Sequence, residues 1–247
     1  MVPKRKAEAQ VCPSTMAKVL GTSPQKLGRQ MIQVFVGDDK QPHCVHRDLI
    51  SASSDFFKNA LHGKFKERDG IIRLLEENSD DFAVYVAWLY SGRLNYPPKV
   101  ENSDDNNDEY GSALGSHYQK LLELHIMGDI IQDEDFQNTT TDAIIELASS
   151  SQRPPLHESF TRSAMSYLPL TSSLRKYLVD CWVYVRNPCW YEDGSVTLGE
   201  YPAEFWIEVA KGLTNQTKKP TPGAYPWELN PCLYHSHKKE AQKPKLA

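Results

Sequence analysis

The chain has 247 residues, of which 40% are hydrophobic, 24% charged and 10% aromatic, the composition of a globular protein with room for one large domain or two small ones. No apolar run approaches the ~18 residues of a membrane span, and Met1-Val2-Pro3-Lys4-Arg5-Lys6 has no apolar stretch behind it to act as a secretory core, so an intracellular chain of the cytoplasm or nucleus, with no membrane contact, is expected. The net charge of −4 is unevenly spread: residues 1–30 carry +5 and residues 216–247 carry +4, which leaves −13 for residues 31–215, an acidic body that repels phosphate and confines any nucleic-acid contact to the basic ends.

Residues 1–27 mix Pro, Ser, Lys and Gln without periodicity and read as a disordered basic tail; Lys4-Arg5-Lys6 serves there as a solubiliser or a nuclear import signal. Met31 to Val36 is a β-rich apolar run that ends in the turn cluster Gly37-Asp38-Asp39-Lys40, and His43-Cys44-Val45-His46 returns from it, which predicts a β-hairpin. From Arg47 the period changes to helical spacing through Leu49, Ile50, Phe56, Phe57, Ala60 and Leu61, with Ser53 or Ser54 as a cap between two helices and Gly63 as the end. A third strand fits Ile71 to Leu75. Ser79 is expected to cap a helix whose apolar positions are Phe82, Tyr85, Val86, Leu89 and Tyr90 and which stops at Gly92. Residues 97–116, with Pro97, Pro98 and five carboxylates from Glu101 to Glu109, read as an acidic loop. Helical spacing resumes at Tyr118, stops at Gly128 and restarts behind Asp133 or Asp135 as cap, and Ser149 to Pro155 reads as a linker. Further on, Thr171 to Ser173 caps a stripe of Leu174, Tyr177, Leu178, Cys181, Trp182 and Val185, and Pro202 suits the first turn of a helix carrying Phe205, Trp206, Val209 and Leu213. Residues 216–247 form a Pro- and Lys-rich tail with an aromatic cluster, Tyr225, Trp227 and Tyr234, placed to fold back onto the body.

The sequence has no Gly-rich phosphate loop, nucleophile elbow, two-histidine zinc helix or Cys-x-x-Cys, so no catalytic residue and no cofactor is expected. Five widely spread cysteines are expected as free thiols. His43 and His46 flank Cys44 and are expected on one face of the strand, as a structural hairpin pair rather than metal ligands. Cys232, His235 and His237 lie within six residues, and Cys181 or Cys189 would add a fourth tetrahedral ligand. That spacing is not a zinc-finger spacing, and a solvated tail with incidental His and Cys is the expectation, with no metal bound.

Five stretches carry a resemblance: Val34-Phe35-Val36-Gly37; Val45-His46-Arg47-Asp48-Leu49-Ile50-Ser51-Ala52; Ser54-Asp55-Phe56-Phe57-Lys58-Asn59-Ala60-Leu61; Gly63-Lys64-Phe65-Lys66-Glu67; and Trp88-Leu89-Tyr90-Ser91-Gly92. In this order and spacing they resemble the BTB/POZ domain, in particular the BTB proteins of filamentous fungi. The resemblance implies an α+β fold, a short β-sheet flanked by a cluster of α-helices, over residues 28–150, followed by an α-helical C-terminal extension over residues 151–215. It also implies a protein-interaction module without catalytic residues, serving as a homodimerisation surface or as an adaptor to a cullin-based ubiquitin ligase. Adaptor members carry a hydrophobic-x-Glu triplet after the second core helix, and Phe65-Lys66-Glu67 matches its type and place. Either Phe65 fills a groove on a partner while Glu67 orients it, or Phe65 packs inward and Glu67 is solvated. Dimerising members pair an Asp at the start of the first strand with the Arg of a His-Arg step. Here His46 and Arg47 remain but Met31 stands at the Asp position, which leaves a remnant of that pocket. Leu49 and Ile50 are either an apolar face for a symmetry mate or monomer core. No zinc-finger array, kelch repeat or MATH-like sandwich accompanies the domain, so recognition falls to residues 150–247, whose Trp182, Trp190, Trp206 and Trp227 are core or binding surface. The expected function is a non-catalytic scaffold that binds other proteins and can bind itself; the alternatives are a cullin adaptor and a nuclear transcriptional regulator that touches DNA through its basic ends.

Overall fold

A computed structural model describes residues 27–62, 69–96, 108–151, 158–185, 201–216 and 224–237. Strand β1 (Met31–Val36) alternates strictly, with Ile32, Val34 and Val36 buried on one side while Met31 and Gln33 face out, as a half-buried strand requires. It is the centre of a three-stranded sheet of order β2-β1-β3. β2 (His43–His46) pairs antiparallel to it, Ile32 opposite Val45, and β3 (Ile71–Leu74) pairs parallel to it, Val34 opposite Ile72. The hairpin expectation is met; the parallel pair needs a crossover, and the crossover contains helices α1 (Arg47–Ser53) and α2 (Asp55–His62). Ser54 separates the two in an extended conformation, and its Oγ accepts the Phe57 amide at 3.1 Å.

Helix α3 (Ser79–Ser91) is capped by Asn78 rather than Ser79: Asn78 Oδ1 accepts the amides of Asp80 and Asp81 at 2.9 and 3.2 Å. An amide oxygen one residue earlier reaches the free N–H groups of the first turn, and the Ser79 hydroxyl turns away to Asp39. Gly92 ends the helix as expected, in the left-handed region at φ 68°. Helix α4 (Asp108–Ile130) starts earlier and ends later than its periodicity suggests. Residues 108–116, expected in the acidic loop, are helical, while residues 97–107 lie outside the described residues. Gly128 does not stop α4 but lets it cross α5 (Glu134–Ser151): a Cβ there would come within 2.9 Å of Gln137 Cγ and 3.2 Å of Phe136 Cδ1. Asp133 is the cap of α5, its Oδ1 accepting the Phe136 amide at 3.1 Å. Ser149 to Ser151, expected as linker, are its last turn, where the Ser149 and Ser151 hydroxyls donate back to the carbonyls of Ile145 and Leu147.

Helices α6 (Glu158–Tyr167), α7 (Ser173–Val185) and α8 (Ala203–Asn215) build the C-terminal half. The apolar stripe of α7 is buried as expected, and Trp182 is among the largest fully buried side chains. α6, which no periodicity announced, brings Phe160 against Tyr118 of α4 with ring centroids 5.6 Å apart, so the buried core runs from the sheet through α4 into α7 and α8 without a break. The last described stretch holds the short helix α9 (Pro226–Leu229) and a 3₁₀ turn (Pro231–Tyr234). Trp227 and Tyr234 are buried there and meet Tyr177 edge-on at 5.5 and 5.4 Å. The aromatic cluster therefore does fold back onto the body. Among the described residues no helix is long and apolar enough to cross a membrane.

Candidate protein-interaction surface

Strand β2 runs directly into α1 at the step from His46 to Arg47, so backbone geometry fixes both side chains. The Tyr90 hydroxyl accepts the His46 amide at 3.1 Å and lies within hydrogen-bond distance of His46 Nδ1, at 2.7 Å. The Arg47 amide donates to the Gln30 carbonyl at 2.9 Å, and its guanidinium Nη2 donates to the Leu61 carbonyl. Leu61 stands in the last turn of α2, so Arg47 satisfies an end carbonyl and places positive charge at the negative end of that helix. Met31, opposite His46 across the hairpin, is 49% exposed and offers no charge. The pocket remnant is thus a clamp holding the end of α2 to the sheet.

Leu49 and Ile50 stood as either a symmetric contact face or monomer core, and the structure makes them core, 5% and 0% exposed within the single chain. Phe65, Lys66 and Glu67 lie outside the described residues; α2 ends at His62, three positions before the triplet begins.

His43 and His46 are not brought together, contrary to the expectation of one shared face. His43 meets Phe82 edge-on at 5.2 Å, whereas His46 meets Tyr90, eight residues and about 12 Å further along α3. Residues three apart on a strand point to opposite faces: His43 lies opposite Val34 on the buried side of the hairpin and His46 opposite Met31 on the exposed side, which is why the pair separates. His43 Nε2 lies 3.0 Å from Ser79 Oγ, and Ser79 donates to Asp39 Oδ2 at 3.0 Å. This row contains Ser, His and Asp but in the wrong order for nucleophile activation: the serine proton is committed to the carboxylate, so His43 donates to the serine and cannot act as its base. The Gln41 amide and the Ser79 hydroxyl hold the Asp39 carboxyl below its usual range.

Behind this face Asp133 is fully buried and receives three donors: Ser53 Oγ at 2.5 Å, Tyr85 hydroxyl at 2.9 Å and the Phe136 amide. Next to it Ser54 Oγ donates to the Ile131 carbonyl. One carboxylate therefore ties α1, α3 and α5 into a unit. Burial still pushes its pKa up, and pushes the Tyr85 hydroxyl well up as well. The sequence exposes only the capping half of that role.

A second constellation lies in the last described stretch. Cys232, His235 and His237 place one ligand atom each within 4.8 Å of one another, and Cys232 Sγ lies 3.1 Å from His237 Nε2. His235 is not in a solvated tail as expected; it is 8% exposed and its Nε2 meets Asp142 Oδ1 at 2.7 Å. Cys181 is apart from this group, fully buried in α7 with its thiol pushed far up by burial, and Cys189 lies outside the described residues. Beside the constellation runs an open groove of about 500 Å³ lined by Thr171, Ser172, Lys176, Glu208, Leu233 and His235, among others.

In comparison with known proteins, residues 25–123 match the family model of the BTB/POZ domain. The match starts just before β1 and ends inside α4, and the small sheet with its surrounding helices is the α+β BTB/POZ fold with a helical extension. A domain of this kind implies a protein-interaction module. No curated protein matches the chain.

Proposed function

We propose that this chain is a non-catalytic scaffold that binds a partner protein through the surface beyond the end of α2, with a cullin-type ubiquitin-ligase subunit as the partner class. The observation that supports this reading most is the Arg47 clamp on Leu61. It fixes the end of the helix that precedes Phe65-Lys66-Glu67 in the chain, and an aromatic residue with a carboxylate two positions on has the chemistry of a small hot spot with a polar rim. Two further features fit. The polar clusters of the BTB unit are spent on caps and helix ties, and Leu49 and Ile50 are occupied by the chain's own core. Self-association through Leu49 and Ile50 would require opening that core. The resemblance to filamentous-fungal members belongs to the same reading, as does intracellular residence. Phe65→Ala with Glu67→Ala is expected to weaken recovery of a cullin N-terminal domain in pull-down at least tenfold while the melting temperature stays within about 2 °C. A large fall in melting temperature would make Phe65 a core residue and remove the hot spot.

A further inference from the structure

The constellation at the C-terminal end has the features of a built metal site, and we infer that Cys232, His235 and His237 bind one zinc ion that locks residues 232–237 in the conformation docked on α5 and α7. The local geometry follows from the sequence. In a 3₁₀ turn, residues three apart eclipse one another, which puts Cys232 and His235 on one side of the turn Pro231–Tyr234. The chain then leaves His235 in an extended conformation, φ −104° and ψ 147°, where residues two apart share a face, so His237 joins them. Cys-x-x-His-x-His on a turn followed by an extended step thus gathers three donors, though it is no finger spacing.

The distances suit zinc. Bonds of about 2.3 Å to sulfur and about 2.0 Å to nitrogen in a tetrahedron set ligand atoms about 3.3 to 3.6 Å apart. Cys232 Sγ and His237 Nε2 stand at 3.1 Å, and all three ligand atoms fall within 4.8 Å, so a closure of about 1 Å by side-chain rotation completes the set. One thiolate with two imidazoles is a borderline-soft nitrogen and sulfur donor set, which selects zinc over magnesium or calcium.

The groups behind the ligands are also in place. A carboxylate can only accept, so in the neutral ring the Asp142 contact at 2.7 Å holds the proton on His235 Nε2 and leaves Nδ1 as the nitrogen with a lone pair for a metal. The His235 side chain is 1% exposed against 39% for Asp142, so the imidazole is held by its surroundings while the carboxylate stays hydrated. Ser236, between the two histidines, makes a reciprocal pair with Asn138: its amide donates to Asn138 Oδ1 and its carbonyl accepts from Asn138 Nδ2, both at 2.8 Å. The Tyr234 hydroxyl donates to Asp180 at 2.9 Å. Residues 234, 235 and 236 are each tied to α5 or α7, so the ligand-bearing segment is fixed before a metal arrives. Zinc binding displaces the Cys232 thiol proton and adds its binding free energy to the docking of this segment.

The test uses the full chain, reduced and stripped of metal, titrated with Zn²⁺ alone and with Co²⁺ as a spectroscopic probe. Expected are one metal per chain and a thiolate-to-cobalt charge-transfer band with tetrahedral visible bands. Cys232→Ser and His237→Ala are each expected to weaken zinc binding at least tenfold and to abolish that band. Asp142→Asn is expected to weaken it by about 10- to 100-fold as a positioning residue. All three variants are expected to keep the melting temperature of the metal-free chain, and zinc is expected to slow proteolysis after residue 224 in the wild type alone. A wild-type chain that takes up no zinc, or variants that bind it as tightly as wild type, would overturn the inference; so would a cobalt spectrum without a thiolate band.

Discussion

His125 is buried on α4, its Nδ1 within 3.2 Å of the Gln137 carbonyl and 3.1 Å of Thr140 Oγ1. Burial lowers its pKa from 6.5 to about 4. The unfolded chain therefore takes up this proton first: the stability that neutral His125 supplies is complete above pH 6.5 and is lost as pH falls towards 4, up to about 3 kcal/mol. Asp133 works in the opposite sense, since its raised pKa favours the fold as the carboxyl is protonated. The difference between wild type and His125→Asn isolates the histidine, and urea denaturation at pH 7 and pH 4.5 is expected to show a steeper loss on acidification in the wild type. Asp133 is a second residue of consequence. Asp133→Ala leaves the Ser53, Tyr85 and Phe136 donors without their acceptor and is expected to cost about 3 kcal/mol, whereas Asp133→Asn keeps the cap and costs about 1 kcal/mol. Equal losses in the two variants would mean that the cap to the Phe136 amide contributes nothing, since both lack the Oδ2 acceptor of the Ser53 and Tyr85 hydroxyls. From the sequence Asp133 is readable as a cap, because a cap is local. Its role as a tie between three helices depends on Ser53 and Tyr85, 80 and 48 positions away, and no local pattern carries that.

The elements with a clean period were legible. The β1 alternation, the Ser54 break, the Gly92 stop and the α7 stripe each follow from one short window of residues. The errors lie where a local rule met a tertiary contact. Gly128 has the composition of a helix end but the position of a helix crossing, and only the proximity of Gln137 reveals which. Glycine and charge near Asp108 suppress the apolar signal although helix α4 has already begun. Of the candidate site, the His46-Arg47 step was visible as a motif; its work on the Leu61 carbonyl was not, because the acceptor is a backbone atom with no sequence signature. The C-terminal stretch shows the same limit: Pro and Lys suggest a tail, yet Trp227 and Tyr234 are core. Trp227→Ala is expected to cost about 3 kcal/mol, read by chemical denaturation, with faster amide exchange in α7 around Tyr177. A loss below about 0.5 kcal/mol would detach α9 from the core.

At the scale of the whole molecule, the BTB/POZ domain over residues 25–123 and the helices that follow share a continuous core. The Asp133 tie and the Arg47 clamp join α1, α2, α3 and α5 within that core. With an acidic body and basic ends, binding of a partner protein is expected to depend on salt, as charged rims steer partners more than they bind them. Protein binding is the activity that the proposed function assigns to this molecule. Affinity purification of the tagged full chain with quantitative mass spectrometry, run beside the Phe65→Ala/Glu67→Ala variant, tests it most directly. The account expects a small set of proteins, a cullin among them, recovered near stoichiometry by the wild type and depleted at least tenfold by the variant. A wild-type chain that emerges alone, or partners retained equally by both forms, would contradict it.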